Sequence, residues 1–383
     1  MRQITYTGAL GSCALGGPMS PALAAEWSIT PSYSATVDYD SNRQLLSDSK
    51  GSEAGVITAD VLFKHAVENL DYSLEPRYAW RRYTDNSLGN GDDRSIWASL
   101  NWMRETSTLG LSASYWDQST LTTELLETGI VTGDTHRRLG QAAVNWVWSQ
   151  TERRSLLAQV SYMDVRYHGS AEEQLPGYRY PSGSLGERYA FSERGSLTVS
   201  AYGSLLDSDT KGNSSHSVGL QAELIYQFTE RVRFDASLGE SSRVLAGDSS
   251  RGTDAHISLT RTGELSRGEL SYTRSLQPYG FGFLVEREEY RASYTQPLTP
   301  TMTATLSGFH IKNNETAVLL RLDRQSYNSV ALSFNWRPYE TWSYGAQIED
   351  LRTQPPGVSN QTVQAWRASM SLTWTPHPIS RSW

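Results

Sequence analysis

Few residue combinations in this chain could perform covalent chemistry. Gly247-Asp248-Ser249, with Asp254 and His256 close behind, carries the residue types of a serine hydrolase: a hydroxyl nucleophile, an imidazole base and a carboxylate to orient it. The same stretch is made of the Gly, Asp and Ser residues that turns favour, so a loop accounts for it and no enzyme is expected. Asp207-Ser208-Asp209-Thr210-Lys211-Gly212 opens like a calcium loop, yet Lys211 stands where an oxygen ligand belongs and Val218 where the bidentate Glu would be. The 7 histidines are spread without metal-ligand spacing, and no glycine loop precedes a helix to cradle phosphate. Neither a cofactor nor a metal is expected.

What remains is a set of charged side chains recurring at alternate positions. Glu75, Arg77 and Arg81 fall on one face of one segment; Glu223, Arg233, Asp235, Arg267, Glu269, Arg291, Glu349 and Arg367 repeat the arrangement further along. Only Lys50, Lys64, Lys211 and Lys312 are lysines among 34 basic residues. The planar fork of arginine matches carboxylates and sugar hydroxyls. Such charges can pair across strands and hold a wall together, or line a hydrated path for polar solutes. The formal net charge is -7, which gives no basic footprint for nucleic acid.

The segments carrying these charges have a period of two. From Trp27, one face reads Trp27, Ile29, Pro31, Tyr33, Ala35, Val37, Tyr39 and the other Ser28, Thr30, Ser32, Ser34, Thr36, Asp38. The pattern returns at Val218, Leu220, Ala222, Leu224, Tyr226, Phe228, at Val330, Leu332, Phe334, Trp336, and at Trp366, Ala368, Met370, Leu372, Trp374. Alternation of this kind makes half-buried strands. Polar residues interrupt every apolar run, which excludes a membrane-spanning helix of roughly 20 apolar residues. A barrel strand needs only about 9–11 residues with alternate ones in lipid, so 38% hydrophobic residues is compatible with spanning a membrane.

Loop lengths decide between a soluble sandwich and a barrel. Short turns are expected near residues 68–71, 104–107, 150–153, 193–195, 229–231, 265–268, 297–301 and 338–341, and longer polar segments at 41–54, 84–92, 121–134, 169–183, 207–215, 245–252, 277–282, 313–323 and 353–360. That alternation gives about nine hairpins with short turns at one end and long loops at the other, as outer-membrane barrels have. The fold expected is therefore all-β, a transmembrane antiparallel up-and-down barrel of about 18 strands, within roughly 16–18. Aromatic residues gather at strand ends, among them Trp27, Tyr39, Tyr72, Trp80, Trp102, Tyr115, Trp148, Trp336, Trp342, Trp366 and Trp374, where rings favour the membrane–water interface. Trp383 resembles the terminal aromatic of outer-membrane proteins, although Pro376-His377-Pro378 fits poorly in a paired strand.

The N-terminus reads as an export signal. Arg2 precedes an acid-free apolar stretch from Ile4 to Met19, and Ala22-Leu23-Ala24 offers an A-x-A cleavage pattern. Residues 1–24 are thus expected to be a signal peptide and 25–383 the barrel. Cleavage there removes Cys13, the only cysteine, which suits an oxidising compartment.

Several stretches resemble one family. Trp27-Ser28-Ile29-Thr30-Pro31-Ser32-Tyr33 followed by Tyr39-Asp40-Ser41-Asn42-Arg43 is similar to the opening W-x-x-x-P-S strand and Y-D-x-N turn of outer-membrane β-barrel porins associated with exopolysaccharide gene clusters, although Asp40-Ser41-Asn42 stands where Asp-Asn is usual. Arg77-Tyr78, Arg82-Tyr83-Thr84-Asp85, Asp92-Asp93, the stretch from Asp117 to Leu125, Thr128-Gly129 and Arg137-Arg138 resemble later segments of it. The resemblance covers the first half distinctly. It implies export of a secreted polysaccharide across the bacterial outer membrane, with outer-membrane lipid and lipopolysaccharide around the barrel and periplasmic or inner-membrane export proteins as partners. Asp117, Glu124, Arg137 and Arg138 surround one long loop that could fold inward as a constriction. A general or solute-specific diffusion porin and a surface barrel with a closed lumen are the alternatives.

Overall fold

Strands with one apolar and one polar face leave a row of unpaired backbone groups at each sheet edge, and a membrane tolerates such strands only when the sheet closes on itself. The computed structural model describes residues 26–45, 50–85, 88–124, 135–170, 175–210, 214–245, 247–314, 326–354 and 362–382. The expected signal peptide with Cys13, Lys211, the Thr128-Gly129 pair and Trp383 lie outside the described residues.

The elements are β1 (Glu26–Asp40), β2 (Ser52–Val67), β3 (Leu70–Tyr83), β4 (Gly91–Met103), β5 (Ser107–Ser119), α1 (Thr120–Thr123), β6 (His136–Ser149), β7 (Arg154–His168), β8 (Tyr178–Ser192), β9 (Gly195–Ser208), β10 (Ser215–Thr229), β11 (Val232–Leu245), β12 (Asp248–Thr262), β13 (Arg267–Tyr279), β14 (Phe283–Thr299), β15 (Met302–Asn314), β16 (Ser326–Tyr339), β17 (Trp342–Thr353), β18 (Val363–Trp374) and β19 (Ile379–Ser382). Each barrel strand is antiparallel to the next, and β1 pairs with both β2 and β18, which closes an 18-stranded barrel. The extra strand is a continuation of the eighteenth. β18 pairs with Tyr33–Asp40 and β19 with Glu26–Ile29 of the same β1, and Pro376-His377-Pro378 interrupts the ladder between them because proline has no N–H to donate.

Short turns fall where the sequence places them, as between Val67 and Leu70, Thr229 and Val232, or Tyr339 and Trp342. At the opposite end two expected loops are shorter than the composition suggests. β8 already begins at Tyr178, and β11 and β12 run to Leu245 and from Asp248, so the Leu245–Gly252 stretch is mostly strand. Beyond the membrane both faces of a strand meet water, and the apolar alternation that marks a strand in sequence disappears there.

The outer wall is apolar: Val37, Ile57, Val160, Leu185, Val199, Leu238, Leu270, Val330 and Met370 are all exposed. Trp27, Trp148, Trp336 and Trp374 mark one end of this band, and Tyr39, Trp80, Tyr115 and Trp366 the other, forming two aromatic girdles. A closed barrel with an apolar outer band between two aromatic girdles has the form of a membrane-spanning one. Its buried apolar side chains gather inside the long-loop end, in one cluster with Leu45, Tyr83, Leu88, Leu121 and Leu351 and another with Val165, Tyr167, Leu175, Leu206, Leu245 and Leu284.

Candidate functional site: a constricted lumen

Neighbouring residues on a strand face opposite sides, so the ladder assigns every charge to the lumen or the outer wall. Glu75, Arg77 and Arg81 face inward between exposed Leu74, Tyr78 and Trp80. By the same alternation Glu223, Arg233, Asp235, Arg267, Glu269, Arg291, Glu349 and Arg367 are inward. Arg137 and Arg138 are adjacent and cannot share a face. Arg137 is inward, whereas Arg138 lies in register with Asp117, on the face carrying exposed Tyr115, Val144 and Trp148. Asp117 and Arg138, read from sequence as lumen residues, therefore stand together on the outer wall at the extracellular rim, 3.3 Å apart.

Two inward elements narrow the lumen. The first starts at the end of β5, where Ser119 Oγ accepts the Leu121 amide and caps the single turn α1. Thr120 N–H donates to the Thr135 carbonyl and closes the base of the loop. Glu124, at its far side, is fully buried. Tyr167 Oη donates to it at 2.9 Å, Arg137 Nε lies 3.5 Å away, and Arg137 and Tyr167 are register partners on the inner faces of β6 and β7. A buried carboxylate without such partners would cost several kcal/mol; here a cation and a hydroxyl offset that cost and tie residues Thr120–Glu124 to the inner wall. Glu124 and Arg137, both expected at a constriction, are brought together.

The second element is the β13–β14 hairpin. β12 pairs with β13 only as far as Ala255 with Arg274, although β12 itself continues back to Asp248. The tip of the hairpin leaves the barrel wall and folds inside. Its Leu284 packs with Val165, Tyr178, Leu206 and Leu245, and Gly282, at φ +73°, sits against Ser208 and Pro176. Glu286 anchors it to the facing wall: Arg243 on β11, 2% exposed, donates to Glu286 at 3.1 Å, to Asp254 at 2.8 Å and to Ser241 at 2.8 Å. Arg274 adds a 2.7 Å contact to Glu286, and Tyr202 Oη donates to Asp254.

Below the hairpin lies a polar cavity of about 830 Å³, lined by Ser182, Ser204, Gln221, Ser258 and Thr260 together with Glu223, Arg233, Asp235, Arg267 and Glu269. Arg233 grips Asp235 through both nitrogens, and Arg267 lies 3.7 Å from Glu269. Around the rest of the wall, Arg81 pairs with Asp93, Arg43 with Asp38, Arg291 with Glu289, and Arg367 with Asp40 and Glu349. The lumen is thus a surface of hydroxyls, amides and paired charges, suited to exchanging hydrogen bonds with a hydrated solute. Arg43, Arg243, Glu286 and Glu289 were not read as lumen residues from the sequence, and Asp254 was read only as a possible hydrolase carboxylate. Strand alternation could have found Arg43's partners, but no local signal marks a hairpin that leaves the wall.

The hydrolase residues do not converge. Ser249 is exposed opposite Val244, His256 donates or accepts at Thr273 Oγ1 at 2.9 Å, and Asp254 belongs to Arg243. Ser249 and His256 are seven strand positions apart, roughly 23 Å.

No protein-family model matches the chain, and no curated protein sequence matches it. Solved structures do. The chain is similar to OccAB4 of Acinetobacter baumannii, at 11% identity over 94% of this chain and 99% of that one with a TM-score of 0.51. To OccK9 (OpdG) of Pseudomonas aeruginosa the values are 12%, 92%, 98% and 0.51, and to OccK7 (OpdD) of the same organism 10%, 93%, 99% and 0.51. These are outer-membrane β-barrel porins, and at such identities what this chain shares with them is the fold.

Proposed function

We propose that this protein is a diffusion channel through which small polar solutes cross the outer membrane. The reading is carried by one observation: a hydroxyl- and charge-lined lumen into which the turn ending at Glu124 and the tip of a hairpin project, each held by ion pairs to the inner wall. The porin fold of its structural neighbours supports it. Mixed, paired charges favour solutes bearing hydroxyls and ionised groups over apolar ones, and the constriction limits their size.

Purified barrel reconstituted in planar bilayers is expected to give discrete conductance steps, and proteoliposomes should swell in monosaccharides and amino acids far faster than in polymers. A barrel that neither conducts nor supports swelling would remove the channel reading and favour a surface barrel with a closed lumen.

Export of a secreted polysaccharide is the second reading, favoured by the Trp27–Tyr33 and Tyr39–Arg43 patterns and by the arginine-rich inner wall. A deletion strain separates the two: polymer lost from the surface and restored by the wild-type gene assigns export, and unchanged polymer assigns diffusion. Either role requires delivery to the outer membrane. Cleavage after Ala24 leaves β1 whole, and intact-mass measurement of the membrane-extracted protein should return a chain starting at Ala25.

A further inference from the structure

Three side chains with metal-ligating atoms meet outside the lumen. His136 and His168 are direct register partners on β6 and β7, with ring centroids 5.4 Å apart. Asp117 on β5 places Oδ1 3.0 Å from His136 Nδ1. One donor atom from each residue lies within 4.8 Å of the others, and all three side chains are half-buried. We propose that Asp117, His136 and His168 form a binding site for a borderline divalent transition metal of the Zn²⁺ class on the outer wall, at the extracellular rim.

The donor set selects the class. Two imidazoles with one carboxylate suit Zn²⁺, Ni²⁺ or Cu²⁺, whereas Mg²⁺ and Ca²⁺ take oxygen ligands. Donors about 2.1 Å from a tetrahedral ion stand roughly 3.4 Å apart, so closing the set needs side-chain rotations of the order of an ångström and no change in the ladder. The carboxylate is already divided between two tasks: Oδ1 faces the imidazole, and Oδ2 accepts from Arg138 Nε at 3.3 Å. An outer-shell donor of this kind fixes a ligating carboxylate. The Arg138 side chain is half exposed, so water screens its repulsion of the cation.

Placement gives the site a consequence. Ser119 is the register partner of His136, and Thr120 and Thr135 close the loop immediately beyond. A metal bridging β5, β6 and β7 therefore clamps the root of the loop whose Glu124 narrows the lumen. The absence of sequence spacing for a metal site is explained by this geometry: the ladder, and not the local sequence, brings the three residues together.

The test uses full-length barrel purified without a histidine tag, titrated with Zn²⁺ by calorimetry and with Co²⁺ by absorption. One equivalent should bind, Co²⁺ should show ligand-field bands, and His136→Ala and His168→Ala should each weaken binding by about tenfold or more, while His256→Ala and His310→Ala leave it unchanged. Heat-dependent gel mobility verifies that each variant is folded. If His136→Ala does not fold, His168→Gln and the Co²⁺ spectrum of the wild type decide. Absence of binding by folded wild-type protein, or binding that survives loss of either His136 or His168, overturns the proposal.

Discussion

Arg243 concentrates at one residue the problem that a charged lumen poses. Its guanidinium is almost fully buried and is shared by Ser241, Asp254 and Glu286, so removing it leaves Glu286 with Arg274 and Asp254 with the hydroxyls of Tyr202 and Ser241, and no cation between the two carboxylates. Breaking a buried pair of this kind costs about 3–5 kcal/mol. Arg243→Met should lower the denaturant midpoint accordingly and make single-channel current noisier; an unchanged midpoint would mean that the hairpin is held by its apolar tip. Gly252 bears on the same contact. A Cβ there would run into the Arg243 guanidinium, which its three partners prevent from swinging away. Gly252→Ala is expected to cost about 1–3 kcal/mol, as overpacking does, and the cost should vanish in an Arg243→Met background, a coupling that a double-mutant cycle measures directly.

At the scale of elements, the barrel was far more legible than the constriction. Alternation at Trp27–Tyr39, Val218–Phe228 and Trp366–Trp374 depends on lipid outside and water inside, a contrast that every membrane-level residue feels, so strand faces could be assigned residue by residue. The inward placement of Glu75, Arg233, Asp235 and Arg367 followed. Arg137 and Arg138, expected together around one long loop, lie on opposite faces because both belong to β6, where consecutive residues alternate. The β13–β14 hairpin was invisible for a different reason: its residues Ser275–Val285 form an ordinary strand pair, and only the ladder lost to β12 and the packing of Leu284 against Val165, Leu206 and Leu245 show that it has left the wall. Its position can be tested with a staple. The Cβ built at Gly282 lies 3.3 Å from Ser208 Cβ, close to the span of a disulfide, and the chain beyond Ala24 has no other cysteine. A cysteine at φ +73° is strained, so Gly282→Ala serves as the control for that strain; relative to it, oxidised Ser208→Cys/Gly282→Cys protein should form the cross-link and keep the mean conductance with less flicker. Failure to cross-link, or a large conductance change on oxidation, would mean that the hairpin spends its time elsewhere.

For the whole molecule, the decisive assignment is which face of the wall meets lipid, since lumen, rim and metal site are all defined by it. The strongest check is a pair of neighbours at mid-height. Val160 is 60% exposed between Val144 and Gly183, whereas Ser161 points inward, its hydroxyl sharing a hydrogen bond with Ser182. In a water-filled barrel crossing a bilayer, Val160→Arg puts a cation into hydrocarbon and should cost about 2–4 kcal/mol when folding into lipid vesicles is measured. Ser161→Arg places the same charge in the hydrated lumen, so it should cost less than about 1 kcal/mol and instead shift the reversal potential toward anion selectivity. A soluble barrel with a packed interior would show the reverse order, because its interior would reject the Arg at 161 and water would accept the one at 160. Both substitutions add one guanidinium one residue apart on the same strand, so net charge cancels from the comparison; Val160→Thr and Ser161→Thr account for the different strand propensities of valine and serine, and the medium on each side of the wall remains to explain the difference.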